Sequence, residues 1–229
     1  MVGRLVGLKE LALDSNKIRQ LRSGDLALGQ TSLLTSLSLA HNLLTATSAW
    51  PALRTLTALE TLNLSGNRID VIPDYALVES ARLRELDLGR SCGLWLQIEP
   101  AWRIVYRCAY TKLGERECCN ALCRNQISCL GSNALCGLGN LSVLGLKSNC
   151  IQAVDGGAFA HCEFLQELDL SDNVLRQVPD LSGMLYIQKL SCQDNRIQSL
   201  ENLADISCTI RCLDLSFNCI QELRDLRWE

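Results

Sequence analysis

One template governs most of this chain. It is first complete at Leu8-Lys9-Glu10-Leu11-Ala12-Leu13-Asp14-Ser15-Asn16-Lys17-Ile18, or L-x-x-L-x-L-x-x-N-x-I/L. Leu34, Leu37, Leu39, Asn42 and Leu44 repeat it, as do Leu59, Leu62, Leu64, Asn67 and Ile69. Later copies are Leu141, Leu144, Leu146, Asn149 and Ile151; Leu165, Leu168, Leu170, Asn173 and Leu175; Ile187, Leu190, Cys192, Asn195 and Ile197; and Ile210, Leu213, Leu215, Asn218 and Ile220. The Asn spacings are 26 and 25 residues in the first part and 24, 22 and 23 from Asn149 onward. Self-similarity at such a period marks a stacked repeat architecture. The alternating L-x-L reads as a short strand with one buried face. One unit cannot bury that face alone, so its neighbours must cover it. This is why Leu supplies 45 of the 229 residues.

The pattern resembles the leucine-rich repeat family over almost the whole chain. The resemblance implies an α/β solenoid: a horseshoe with a concave parallel β-sheet and convex segments that are irregular, 3₁₀ or short helical. It also implies a role for the recurrent Asn, whose side chain pairs with backbone groups of the neighbouring coil where water cannot reach. Asn16, Asn42, Asn67, Asn125, Asn149, Asn173, Asn195 and Asn218 are then a structural ladder. Two subclasses are represented. Val71-Ile72-Pro73, Gln177-Val178-Pro179 and Gly157-Ala158-Phe159 resemble the 24-residue type of extracellular receptors. The 22- and 23-residue spacings, with Asn202-Leu203 after Leu200, resemble the shorter type of intracellular regulators.

The fourth repeat is interrupted. It begins at Leu83-Arg84-Glu85-Leu86-Asp87-Leu88, but Ser91 stands where the Asn is expected. The template resumes at Asn125-Gln126-Ile127, so removing Ser91 to Arg124 restores the frame. The chain is thus divided into residues 1–90 (three repeats and half of the fourth), an insertion at 91–124, and residues 125–229 (the rest of the fourth repeat and repeats five to eight). The insertion holds Cys92, Cys108, Cys118, Cys119, Cys123, Trp95, Trp102, Tyr106 and Tyr110 and carries no repeat. An excursion between a buried strand and the Asn sealing its turn is awkward for a functional loop, since such loops occupy surface connections. It is read as intron-derived sequence in a splice or gene-model variant. A binding loop is the competing reading.

Thirteen Cys is more than a core requires. Cys192 fills a consensus Leu slot and reads as a core residue. Cys129, Cys136, Cys162, Cys208 and Cys212 are expected on turns or beside strands, and Cys150 and Cys219 just after the ladder Asn. Such scattered thiols favour a reducing compartment. Cys118-Cys119-x-x-x-Cys123 and Cys208-x-x-x-Cys212 lack paired zinc spacing, and the two His, His41 and His161, have no motif around them. No phosphate loop or nucleophile elbow is present. The expectation is no enzyme, no metal and no cofactor.

A formal charge of −3 without a basic stripe argues against nucleic acid and anionic membrane as partners. Residues 1–8 lack a signal-peptide core, and no 18-residue stretch is free of charge, so no direct membrane contact is expected. Function is assigned to the concave face, where the x positions of the template are small, polar and acidic. The candidate ligand-binding residues are Glu85, Asp87, Lys147, Glu167, Asp169, Asp172, Lys189, Gln193, Asp194, Asp214 and Phe217. A protein ligand with a basic surface is the electrostatic complement, and Phe217 is a candidate aromatic anchor. The competing reading is that these are ordinary solvated turn residues. Two sequons, Asn63-Leu64-Ser65 and Asn140-Leu141-Ser142, are present. The resulting expectation is a non-catalytic protein-recognition module, a fragment of a cell-surface receptor arm. Its alternative is an intracellular scaffold or regulatory subunit of an enzyme. Location follows the same division, extracellular or cell surface against cytoplasmic.

Overall fold

The computed structural model describes residues 7–22, 25–26, 33–89, 125–203 and 209–221. Each L-x-L contributes to a three-residue strand, and two further two-residue strands lie in the return segments; all are too short to stand alone and are held by their neighbours. Along the chain these are β1 (Glu10–Ala12), β2 (Ser36–Ser38), β3 (Thr61–Asn63), β4 (Glu85–Asp87), β5 (Cys129–Leu130), β6 (Val143–Gly145), β7 (Ala153–Val154), β8 (Glu167–Asp169), β9 (Lys189–Ser191) and β10 (Cys212–Asp214). Eight form one parallel sheet in the order β1-β2-β3-β4-β6-β8-β9-β10. Registration puts Leu11, Leu37, Leu62, Leu86, Leu144, Leu168, Leu190 and Leu213 in one row. The alternation of the pleat turns that row into the core and the flanking residues outward. From Leu37 to Leu190 the row is buried, each Leu contributing about 1.5–3 kcal/mol.

Opposite the sheet the coils return through varied segments. A helix, α1 (Ala46–Leu53), follows the second ladder Asn. Thr45 N–H donates to Ser48 Oγ at its start (3.0 Å), and the buried Trp50 donates its indole N–H to the Val71 carbonyl of the next coil (3.0 Å). Later coils use the two-stranded pair β5–β7, a bridge between Gln177 and Ser199, and a 3₁₀ turn at Glu201–Leu203. No helix among the described residues is long and apolar enough to cross a membrane.

The Asn side chains knit the coils together with one recurring geometry. In Asn173, Oδ1 accepts the Ile151 N–H of the preceding coil at 2.9 Å, while Nδ2 donates to Leu146 O there and to Leu170 O in its own turn, both at 3.0 Å. Asn42, Asn67, Asn149, Asn195 and Asn218 repeat it. Asn16, in the first described coil, donates within its own turn and is exposed. Asn125 accepts from Ile69 N (2.9 Å) and donates to Leu64 O (3.1 Å) and Leu88 O (2.8 Å). It therefore stands to Leu88 as Asn67 stands to Leu64, and β4 pairs directly with β6. The intron and loop readings of 91–124 concern residues outside those described, as does the placement of Cys208.

The residue before the ladder Asn has positive φ in seven coils: Ser15, His41, Gly66, Ser148, Asp172, Asp194 and Phe217, at 54–66°. That conformation turns the chain off the strand, and its N–H reaches a carbonyl of the following coil, as from Asp172 to Gln193 (2.8 Å).

Cys162 lies among turn residues and is fully buried; like Cys192, its thiol is pushed up to about 12 by burial. One expectation about side chains needs correction. Ser65, Ser148 and Ser171, read as outward, are buried, because the chain has already begun to turn inward beneath the strand ends.

Candidate recognition surface on the concave sheet

Strand residues flanking the central Leu project from the sheet's open face. They line a shallow trough of about 620 Å³ that crosses β2, β3, β4, β6, β8 and β9. Ser36, Ser38, Thr61 and Asn63 make one end neutral and small. Glu85, Asp87, Lys147, Glu167, Asp169 and Lys189 make the other charged. Six of the sequence candidates are thus brought together. Asp172, Gln193, Asp194, Asp214 and Phe217 lie outside the trough lining. Val143 and Gly145, outward x positions of the template, complete its floor in register with Glu85 and Asp87; their apolar and small side chains gave no charge signal.

Gly145 shapes the middle of the trough. A Cβ built there would sit 2.9 Å from Asp87 Oδ1, so the Asp87 carboxylate occupies space that only glycine leaves open. Burial pushes the Asp87 carboxyl above its ordinary value and the Asp169 charge adds to this. The Gly89 N–H, the Ser65 hydroxyl and His41 act in the opposite direction. His41 lies two coils from Asp87, its imidazole against Gly66 of the intervening coil, where a Cβ would approach Nδ1 to 2.7 Å and φ is +66°.

Three of the seven candidate carboxylates also serve their own turns. Asp87 Oδ1 accepts Gly89 N–H at 2.8 Å, and Asp169 and Asp214 accept from Ser171 and Ser216 at 2.9 Å each. These Asx turns satisfy a backbone donor just past the strand. The two Ser216 bonds hold Asp214 below the usual carboxylate range. Asp172 accepts from Ser148 Oγ (2.8 Å) and Asp194 from Gln193 Nε2 (3.2 Å). Glu167 pairs with Lys189 at 3.2 Å, both about half exposed, an arrangement worth less than about 1 kcal/mol. Glu85 is exposed at the trough centre. Phe217 is 49% exposed in the left-handed conformation, in the last described coil. Asn63 spends its Oδ1 on Ser65 (2.9 Å), whereas the second sequon Asn, Asn140, lies exposed on the turn before β6.

Stacked coils with an open parallel sheet, and among the described residues no cluster able to hold a metal ion, define a solenoid built to present a surface. The Leucine rich repeat family matches residues 32–92 and 121–175, just over half of the chain, with a second match of the same description at 207–222. The chain belongs to the leucine-rich repeat family, whose domains are typically non-catalytic protein-interaction modules. Among solved structures, it is similar to TLR13 in its complex with ssRNA13, with a TM-score of 0.69 and 20% identity, covering 93% of this chain and 30% of that one. It is also similar to the internalin InlF of Listeria monocytogenes str. 4b F2365, with a TM-score of 0.56 and 19% identity, covering 94% and 56%. The chain therefore spans about a third and about half of the lengths of these structures. At such identity the likeness concerns the fold.

Proposed function

We propose that this chain is a non-catalytic protein-recognition module that binds a basic protein surface in the trough of its concave sheet. The observation that carries this reading is the joint lining of one open trough, among the described residues, by Glu85, Asp87, Glu167 and Asp169 against two cations, Lys147 and Lys189. Such a surface steers a basic partner and fixes its register. An RNA partner, as in the TLR13 complex, needs clustered Lys and Arg to displace phosphate counterions. The charge of this trough has the opposite sign.

The resemblance of the 71–73 and 177–179 segments to receptor repeats supports a place in the arm of a cell-surface receptor. A second reading, an intracellular scaffold or regulatory subunit, is favoured by the exposed thiols of Cys129, Cys212 and Cys219, which persist best in a reducing compartment. We further propose that residues 91–124 interrupt a repeat without contributing to this surface. The bond from Asn125 to Leu88 supports that division. Excising Ser91 to Arg124 is expected to leave a cooperatively unfolding protein with an undiminished Tm; failure to fold would contradict the division.

The binding reading is tested by quantitative affinity purification from expressing cells. The double variant Glu85→Gln/Glu167→Gln is compared with Asp74→Asn/Glu79→Gln, which alters an exposed convex turn. Proteins retained by the convex variant and lost from the concave one are the expected outcome. Equal recovery by both variants would refute a concave site.

A further inference from the structure

We propose that the partner of the acidic trough is anchored by apolar contact at the edge where the chain enters the sheet, on Phe164, Leu185 and Tyr186. The occupant is accordingly a basic protein segment that also carries bulky apolar side chains. This rests on the basic-partner reading above and adds what would hold the partner once charge has brought it in.

Phe164 and Tyr186 belong to adjacent coils and stack on each other, ring centroids 5.4 Å apart and planes inclined by 23°. Both rings remain about half exposed, and Leu185 beside them is 70% exposed. Equivalent positions elsewhere carry Leu33, Ala58, Arg82 and Asn140; Leu33 is an exposed apolar residue, but aromatic rings in adjacent coils occur only at Phe164 and Tyr186 among these positions, so the stacked pair is no requirement of the repeat. Contiguous exposed apolar surface of this kind marks interaction sites.

Its position ties it to the trough. Three residues after Phe164 and Tyr186 stand Glu167 and Lys189, which line the trough and pair at 3.2 Å across the same two coils. At strand rise, three residues span about 10 Å. A segment lying over β8 and β9 therefore reaches the rings without leaving the sheet. Lys189 is engaged with Glu167, which leaves the Asp169 carboxylate and, two strands away, Glu85 and Asp87 against Lys147, a surplus of two negative charges in the trough. That surplus sets the sign of the occupant. The rings set its apolar content, because exposed ion pairing supplies approach rate and register, whereas buried aromatics supply most of the affinity at interfaces.

The test uses the whole chain and two synthetic peptides of equal length and charge, read by fluorescence anisotropy. One alternates Arg and Lys with Leu and Trp; the other alternates them with Ser. The apolar peptide is expected to bind about tenfold tighter or more. Phe164→Ser/Tyr186→Ser should abolish that advantage while leaving the Ser peptide unchanged, and Glu85→Gln/Glu167→Gln should weaken both. Thermal melts establish that the variants fold, which the exposure of both rings predicts. Equal binding of the two peptides, or an advantage that survives loss of the rings, overturns the anchor while leaving the basic-partner reading intact. Binding of neither peptide sinks both.

Discussion

Most coils of this solenoid carry two polar side chains at the strand-to-turn junction, and they face opposite ways. The ladder Asn points inward and bonds both its own turn and the coil before it. The Asx residue at the strand end, such as Asn63, Asp87, Asp169 or Asp214, points to the concave side and bonds chiefly the residue two ahead, Asp87 also taking the Ser65 hydroxyl of the coil before. The inward column is buried and repeats from Asn42 to Asn195. The outward column varies, with Ser38, Gly145 and Ser191 at equivalent positions. The difference lies in what water can replace. A missing concave carboxylate frees a part-buried donor at the floor of an open trough, whereas a missing Asn orphans an N–H sealed between two coils. Stability therefore constrains one column and leaves the other available for recognition.

The contrast is broken most directly by Asn173→Ala. It strands the buried Ile151 N–H, while the Leu146 and Leu170 carbonyls each lose one of two Asn donors and keep Asn149 and Asn195, so a loss of about 2–3 kcal/mol in denaturant unfolding is expected. Asn16→Ala, at the exposed end of the same ladder, should cost less than about 1 kcal/mol. Comparable losses from the two would mean that the bonds across coils carry no special weight.

An intermediate effect is expected in the outer column. Asp169→Ala removes an acceptor for Ser171 N–H and should cost about 1 kcal/mol in the same assay; a loss as large as that at Asn173 would erase the distinction between the columns.

Smaller still is Asp87→Asn. Asn63 shows that an amide oxygen serves the same turn. Because the Asp87 carboxyl is raised by burial, the folded state holds its proton more tightly than the unfolded chain. Its contribution is fully present below the unfolded value of about 3.9 and is lost as pH rises through the raised folded value. Asp180 and Asp214, lowered by their serine bonds, act oppositely: their contribution is present at neutral pH and lost as pH falls through their lowered values. Melting curves across the acid range should therefore show Asp87→Asn gaining relative stability as pH rises toward neutral. A parallel displacement at every pH would contradict the burial of that charge.

The smallest effect belongs to the left-handed residues. Asp194→Gly should be neutral or stabilising by up to about 1 kcal/mol, relief of the positive φ offsetting the contact with Gln193.

Thiol chemistry sharpens the same inside–outside comparison by a different readout. Cys129 and Cys212 should alkylate within the native protein, whereas Cys162 and Cys192 should react only on unfolding, as mass spectrometry of timed samples will report.

The inward column was legible in the sequence because Leu and Asn recur at fixed spacing, and fixed spacing is what stacking demands. The frame carried by Asn125 could be read for the same reason. The burial of Ser65, Ser148 and Ser171 could not, since a serine before the turn looks alike whether it faces water or the coil below. Nor could the union of Glu85, Asp87, Glu167 and Asp169 in one trough be told from the looser acidic set that included Asp194 and Asp214. That choice depends on partners 22 or more residues away, across the coil boundary. Phe164 and Tyr186 escaped notice because they lie outside the template, and only stacking of consecutive coils brings them together.

Carboxyl footprinting of the chain with and without its captured partner tests the central claim most directly. Carbodiimide labelling of Glu85, Glu167 and Asp169 should fall on binding, while Asp74 and Glu79 on the convex side label as before. Unchanged labelling in the trough, with protection appearing at Asp74 and Glu79, would place recognition on the opposite side of the solenoid.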